Sequence, residues 1–191
     1  MLDIVGTNMS TITPETGSLN WNIDPAHSSV EFSVKHMGVF TVRGTLGEVT
    51  GVAETQNGSL TSVTLSIDVF GISTKNEQRD DHLKSADFLK VDEFPRIEFK
   101  STDVAKNSDA EYTVTGDLTI VGNTHPVTVS VEVVEPVKDP WGNTRSGATG
   151  SGVLSRKDWG LTYNSVLETG HMLISDEVKF SFDIQAVSGT A

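Results

Sequence analysis

The sequence predicts an all-β protein in which about eight antiparallel strands form a sandwich or a closed barrel, with one or two short helices. Two observations support this prediction. Apolar residues recur at every second position over most of the chain, as in strands with one buried face. Residues typical of turns lie between these stretches, and little of the sequence departs from this alternation.

Residues 1–19 contain Pro14 and many Ser, Thr, Gly and Asn residues, which predicts a flexible lead before a single domain at 20–188. Alternation begins near Trp21 and is clear where Val30, Phe32 and Val34 interleave with polar residues. A further strand is expected at 39–50.

The next elements are a hairpin and a short helix. Asn57 and Gly58, which both tolerate positive φ, are expected to join strands at 46–55 and 60–70 through a type I′ turn. The polar composition of residues 74–90 favours one or two turns of helix. Phe94 and Pro95 then return the chain to a strand that contains Ile97 and Phe99.

The second half of the chain repeats the strand pattern. A turn at Gly122 and Asn123 is expected to join strands at 112–121 and 127–134. Another strand is expected at 146–156, and residues 164–175 are expected to form a loop or a short helix. The last apolar row comprises Val178, Phe180, Phe182 and Ile184. A barrel of about eight strands can hold one small ligand.

The charge balance excludes several functions. With 26 acidic and 14 basic side chains the formal charge is −12, which disfavours binding to nucleic acid or to anionic membrane surfaces.

No apolar run approaches the roughly 18 residues of a membrane-spanning helix. Cysteine is absent, so disulfides and Cys-based metal sites are excluded. The first basic residue is Lys35, and without a secretory signal pattern a cytoplasmic location is expected.

Several motifs resemble the YceI-like family of polyisoprenoid-binding proteins. Residues 24–28, followed by the Val30 row, resemble the opening of the family, and residues 76–83 and 94–101 resemble its central helix-to-strand block. Residues 116–127 resemble the next hairpin. The resemblance covers residues 21–187 and, through residues 142–145 and 156–168, is nearest to actinobacterial-type members.

The resemblance implies a lipocalin-like antiparallel barrel whose elongated apolar channel holds an isoprenoid chain, as in polyprenyl lipids or quinones. Two features differ from the family pattern. The secretory signal of many relatives is missing, and Gly170-His171 stands where similar sequences often have a Gly pair.

Strand parity suggests which residues line such a channel. If Val30, Phe32 and Val34 point inward, His36 ends their row, and Ser101 ends the row of Ile97 and Phe99, where a polar group could meet a ligand head group. The alternative is that these rows only form a packed core. Apolar residues near the strand ends and the helix could close the channel. The predicted ligand-binding residues are Val30, Phe32, Val34, His36, Met37, Phe40, His82, Leu83, Phe88, Leu89, Phe94, Ile97, Phe99, Ser101, Leu118 and Ile120.

These features predict a non-catalytic protein that carries or sequesters an isoprenoid lipid or quinone, with no cofactor, no metal and no nucleic acid partner. The oligomeric state is left open, with a homodimer as one option. The alternative from another class is a small metalloprotein or enzyme that uses His36, His82 or His171 at the barrel mouth. A third interpretation is a binding protein for a fatty acid or an amide.

Overall fold

A computed structural model describes residues 17–168, 170 and 172–188. Its described part contains ten β-strands, one α-helix and two short 3₁₀ helices, at Pro25–His27 and Arg156–Trp159. The α-helix, α1, spans Glu77–Lys84. The strands are β1 (Ser18–Ile23), β2 (Ser29–His36), β3 (Phe40–Thr45), β4 (Val49–Gln56), β5 (Ser59–Asp68), β6 (Arg96–Lys106), β7 (Glu111–Ile120), β8 (Asn123–Lys138), β9 (Thr144–Ser155) and β10 (Ile174–Ser188).

The strands form a closed, eight-stranded antiparallel barrel, as expected. Strands β4 to β10 pair in sequence order, and β1 closes the ring because it pairs with both β4 and β10. Strand β2 continues alongside β10 where β1 ends, and β3 pairs with β2 beyond the ring. Closure pairs the backbone groups that an open sheet would leave at its edges.

The two ends of the barrel differ. At one end, here called the loop end, lie the β2–β3 turn, residues 69–95 with α1, the β7–β8 turn and the segment between β9 and β10. The opposite end, here called the turn end, carries the short connections at 57–58, 107–110 and 139–143. The predicted helix and most of the predicted channel-closing residues therefore share the loop end.

Several boundaries differ from the sequence-based expectation, and β8, which spans Asn123–Lys138, is four residues longer at each end than the expected 127–134. The strand expected at 39–50 is two strands, because the chain bends where the Leu46 and Gly47 amides donate to Val30 and Asp68. The β7–β8 turn is Val121–Gly122, with φ of 48° and 73°, one residue earlier than expected. Strand β1 also includes Ser18 and Leu19 of the predicted lead, whose first sixteen residues lie outside the described part.

Two clusters of buried side chains form the core. The larger follows one side of the barrel and the loop end and includes Trp21, Val49, Ile67 and Trp159. The smaller lies toward the turn end around Tyr112, Val114 and Val131. Phe182 packs against both clusters, so the inner surface of β10 lies between them.

Candidate functional site

The inward rows have the predicted parity. Across the β2–β10 ladder Val30 faces Phe182, Phe32 faces Phe180, and Val34 faces Val178. The alternating Glu31 and Lys35 are exposed. Side chains of one strand alternate between its two faces, so this pairing places an apolar row of both strands inside the barrel.

The rings of four inward phenylalanines lie over glycines of neighbouring strands. Phe180 is paired with Gly152, Phe182 with Gly150 and Phe32 with Gly44, while Phe99 covers Gly116. A Cβ built on any of these glycines would lie within 2.5 Å of the facing ring. Because glycine has no side chain, each ring can lie directly against the barrel wall at the facing glycine.

Much of the inner surface is only partly buried. Val30, Ile97 and Ile120 belong to the packed core, with 8%, 8% and 6% exposure. The inward apolar residues that remain half-buried are Phe32, Val34, Leu65, Phe99, Leu118, Val127, Val129, Leu154, Val178, Phe180 and Phe182. Because these side chains point inward, their remaining exposure indicates unfilled apolar space inside the barrel.

The wall has a slot between β8 and β9 near the loop end. The β8–β9 ladder begins at Ser130 and Ser151 and, within the described residues, does not extend to Val127 and Leu154. A cleft of about 270 Å³ lies at this separation, and Phe180 forms part of its lining. The inward side chain of Phe180 is therefore reached from the surface through this slot.

Trp159 closes the slot on the loop-end side. It is 3% exposed, and its indole Nε1 donates to the Leu118 carbonyl over 3.0 Å. The Asn123 amide donates to the Trp159 carbonyl over 3.0 Å, and the His125 ring lies edge-on to the indole at 5.3 Å. These contacts fix the indole against the end of the β7–β8 hairpin.

An aromatic cluster covers the loop end. The rings of His82, Phe88 and Tyr163 contact each other with centroids 4.9 to 5.0 Å apart, and His82 Nε2 lies 3.0 Å from the Asp87 carboxylate. Tyr163 and Phe88 also line a cleft of about 440 Å³ beside Trp159. The imidazole of His82 thus contacts two aromatic rings and one carboxylate, while 41% of the side chain stays exposed.

The charged residues of α1 hold the helix in place. Asp80 is buried and accepts hydrogen bonds from the Thr74 amide and hydroxyl, and Arg79 donates to the hydroxyl and carbonyl of Thr74. Burial raises the pKa of Asp80, but the hydrogen bonds from Thr74 together with the charges of Arg79 and Lys84 lower the pKa overall. Thr74 therefore joins the two charged groups and secures the start of the helix.

The other predicted closing residues divide into two groups. Leu83, Leu89 and Phe94 are half-buried, with Leu89 against the larger core cluster and the Phe94 ring against the Val121–Gly122 turn. Met37 and Phe40, in contrast, are 43% and 66% exposed. The prediction that they close the channel is therefore corrected, because the β2–β3 hairpin extends past the barrel and leaves both side chains facing solvent.

His36 ends its inward row as predicted, whereas Ser101 lies in the middle of β6, and the inward row continues after it with Val104. His36 is half-buried and paired with Phe40 and Ile174. The Ser101 hydroxyl accepts the Val63 amide over 2.9 Å, next to an irregularity in the β6–β7 register. The Ser101 hydroxyl thus continues the β5–β6 pairing, and its contact with a ligand head group stays a prediction.

The sequence analysis did not select several residues that the structure brings to this surface. Leu154, Gly152 and Phe180 line the slot together with Val127 and Trp159. One signal was available: Gly150 and Gly152 have the same spacing as Phe180 and Phe182. Only the pairing of β9 with β10 shows that the two motifs face each other.

Among the residues that the structure describes, no group of three His, Asp or Glu side chains is arranged to hold a metal ion. His171, which was considered as a mouth residue, lies outside the described residues. No helix in the described part is both long enough and apolar enough to cross a membrane.

Comparison with known protein sequences gives a consistent match. A family model described as the YceI-like domain matches residues 21–186. A UPF0312 protein of Staphylococcus aureus strain N315 is 38% identical over 164 residues, which cover 84% of this chain and 93% of that protein.

Solved structures share the fold at low sequence identity. BcnA of Burkholderia cenocepacia matches with a TM-score of 0.73 and 22% identity, covering 85% of this chain and 98% of that one. The YCEI protein of Campylobacter jejuni matches with a TM-score of 0.70 and 23% identity, covering 81% and 90%. A polyisoprenoid binding domain from Saccharophagus degradans matches with a TM-score of 0.67 and 12% identity, covering 90% and 99%.

Proposed function

The chain belongs to the family of YceI-like domain proteins, and from this premise we propose that its barrel binds an isoprenoid lipid, either a polyprenyl lipid or an isoprenoid quinone. The protein acts as a carrier or a sequestering protein and not as an enzyme. The S. degradans domain, which is described as polyisoprenoid-binding, supports the ligand class by analogy of fold. Placement among actinobacterial-type members stays a prediction, since the curated relative described above is staphylococcal.

The observation that carries the proposal is the half-buried apolar lining of the barrel. Phe32, Phe99, Phe180 and Phe182 lie over glycines of neighbouring strands, and all four stay partly exposed although they point into the barrel. Burial of apolar surface contributes roughly 25 cal/mol per Å². A few isoprene units would therefore contribute several kcal/mol before the cost of ordering the chain.

The contacts of His82 support a binding function over a catalytic one. Its ring is held between Phe88 and Tyr163 and by Asp87. Such contacts are those of a structural histidine, whereas a general base must reach a bound substrate. The metalloprotein alternative has no specific observation in its favour among the described residues.

The test is organic extraction of the purified full chain, followed by mass spectrometry and reloading. We expect extraction to release a prenyl lipid or quinone in a near-stoichiometric amount. We also expect the stripped protein to take up a polyprenol. A folded protein that neither releases nor retains any prenyl compound would refute the proposal. Preferential recovery of a fatty acid would replace the isoprenoid with that ligand class.

A further inference from the structure

Exposed apolar side chains gather at the loop end of the barrel. Val39 is 71% exposed, Val166 69% and Phe40 66%, and Met37 and Met172 are each 43% exposed. We call these five residues the apolar rim. Single exposed apolar residues are common on protein surfaces, but a contiguous group marks an interaction site.

Backbone contacts show that the apolar rim is one surface. The Met37 amide donates to the Leu173 carbonyl over 2.8 Å, which joins the β2–β3 turn to the residue after Met172. Met172 in turn forms an antiparallel bridge with Val166. The turn and the segment before β10 therefore lie side by side.

The turn at the centre of the apolar rim has an unusual composition. Such turns favour Asn, Asp and Gly because they tolerate positive φ and interact well with water. Here Met37 adopts a φ of 55° and Gly38 a φ of 72°, and the next two residues are Val39 and Phe40. The hairpin thus holds an apolar tip in solvent, with backbone strain at Met37.

The charge beside the tip differs from that of the whole chain. Residues 35–43 contain Lys35, His36 and Arg43 and no acidic residue, although the chain carries a net charge of −12. Within the described part, neither Lys35 nor Arg43 takes part in an ion pair. Nearby Asp176 is paired with Lys157 and Glu177 with Lys179, and Glu168 is a further acidic group of the adjacent segment.

We propose that the apolar rim docks on the surface of a lipid bilayer, where the barrel exchanges its ligand. This inference rests on the proposed function. An apolar tip flanked by Lys and Arg suits the boundary between headgroups and acyl chains, and the cations suit anionic headgroups. The inward row of β2 ends at His36, which is paired with Phe40 of the rim, so the ligand space and the docking surface are continuous.

The test measures cosedimentation of the full chain with vesicles of phosphatidylcholine and phosphatidylglycerol. The variant Val39→Ser with Phe40→Ser should reduce the bound fraction about tenfold, because it removes the apolar groups that insert. The matched control changes Val137→Ser and Trp141→Ser at the turn end, where these residues are 57% and 81% exposed. The control should sediment like the wild type.

Two further measurements separate the possible results. Light scattering after size exclusion shows whether the apolar rim instead joins two copies, and a rim-dependent dimer without vesicle binding would overturn the proposal. Equal vesicle binding by the rim variant and the wild type would also overturn it. Polyprenol retention is measured on the same samples. If the wild type retains polyprenol but does not bind vesicles, only the docking proposal is refuted. If the wild type does not retain polyprenol, the proposed function is refuted.

Discussion

At the scale of single residues, the glycines opposite the phenylalanines set the free width of the barrel. Gly152 faces Phe180 across the β9–β10 ladder, and the ring occupies the place that a Cβ on Gly152 would take. The φ of Gly152 is not positive, so its backbone accepts an alanine. An added methyl group would therefore displace the Phe180 ring without straining the backbone of residue 152.

We expect Gly152→Ala to turn the Phe180 ring into the interior and to lower polyprenol capacity at least severalfold. If the interior is open, the ring moves freely and the free energy of unfolding falls by less than about 1 kcal/mol. If the interior is a packed core, the added volume costs about 1 to 3 kcal/mol. Chemical denaturation of ligand-stripped protein together with a loading assay distinguishes these outcomes.

Gly147→Ala is the matched control on the same strand. A Cβ there meets its nearest atom, the Ile184 carbonyl oxygen, at 3.4 Å, an ordinary contact distance. We expect wild-type capacity from this variant. Equal loss of capacity in both variants would mean that alanine acts through the strand and not through the Phe180 ring.

At the scale of elements, a charged network ties the β8–β9 turn to the connection between β1 and β2. Arg145 donates to Asp139 over 2.8 Å and to Asp24 over 2.7 Å, and Asp24 also contacts His27. The bonds from Arg145 hold the pKa of Asp139 and of Asp24 below the usual range of a carboxyl. The network joins segments more than a hundred residues apart in the chain.

These pKa shifts predict how the network responds to acid. A carboxyl whose pKa is lowered by folding stabilises the fold above its unfolded pKa, near 3.8, and loses that contribution as pH falls through the folded pKa. We therefore expect Arg145→Met to lower the melting temperature most at about pH 7. The difference from wild type should shrink below about pH 4. Thermal melts across this range measure it.

Lys138→Met provides the control, since Lys138 is an exposed cation at the end of β8 with no ion pair in the described residues. Its effect on the melting temperature should be small and nearly independent of pH. An Arg145→Met effect that stays constant from about pH 7 to about pH 3 would contradict the role assigned to the two carboxylates.

The elements also show what sequence alone can predict. The row of Val30, Phe32 and Val34 was predictable because a period of two identifies a strand face without knowledge of its neighbours. The turn at Val121 was not, because a β-branched residue with positive φ is rare and Gly122 and Asn123 offered a more ordinary turn. The exposure of Phe40 could not be predicted either. The alternation of apolar residues shows on which face of a strand a side chain lies, but it does not show where along the strand the barrel ends.

At the scale of the whole molecule, charged side chains lie on the outer face of the barrel wall and apolar side chains on its inner face. The outward positions of β10 include Glu177, Lys179 and Asp183, which are exposed, while the alternating positions face the interior. The excess of acidic residues therefore surrounds the barrel without entering the candidate ligand space. The segment 35–43, which has no acidic residue, interrupts this surface at the loop end where ligand would pass.

A ligand that binds only the folded barrel must stabilise the whole molecule. At a free concentration 100 times the Kd, the gain is about 2.7 kcal/mol, or roughly 5 to 10 °C in melting temperature for a domain of this size. We expect this rise when stripped protein is titrated with polyprenols, increasing with the number of isoprene units until the interior is filled. A fatty alcohol of matched carbon number is the control and should give a smaller rise. The same rise with both ligands would show that the barrel recognises apolar length and not the branched isoprenoid chain.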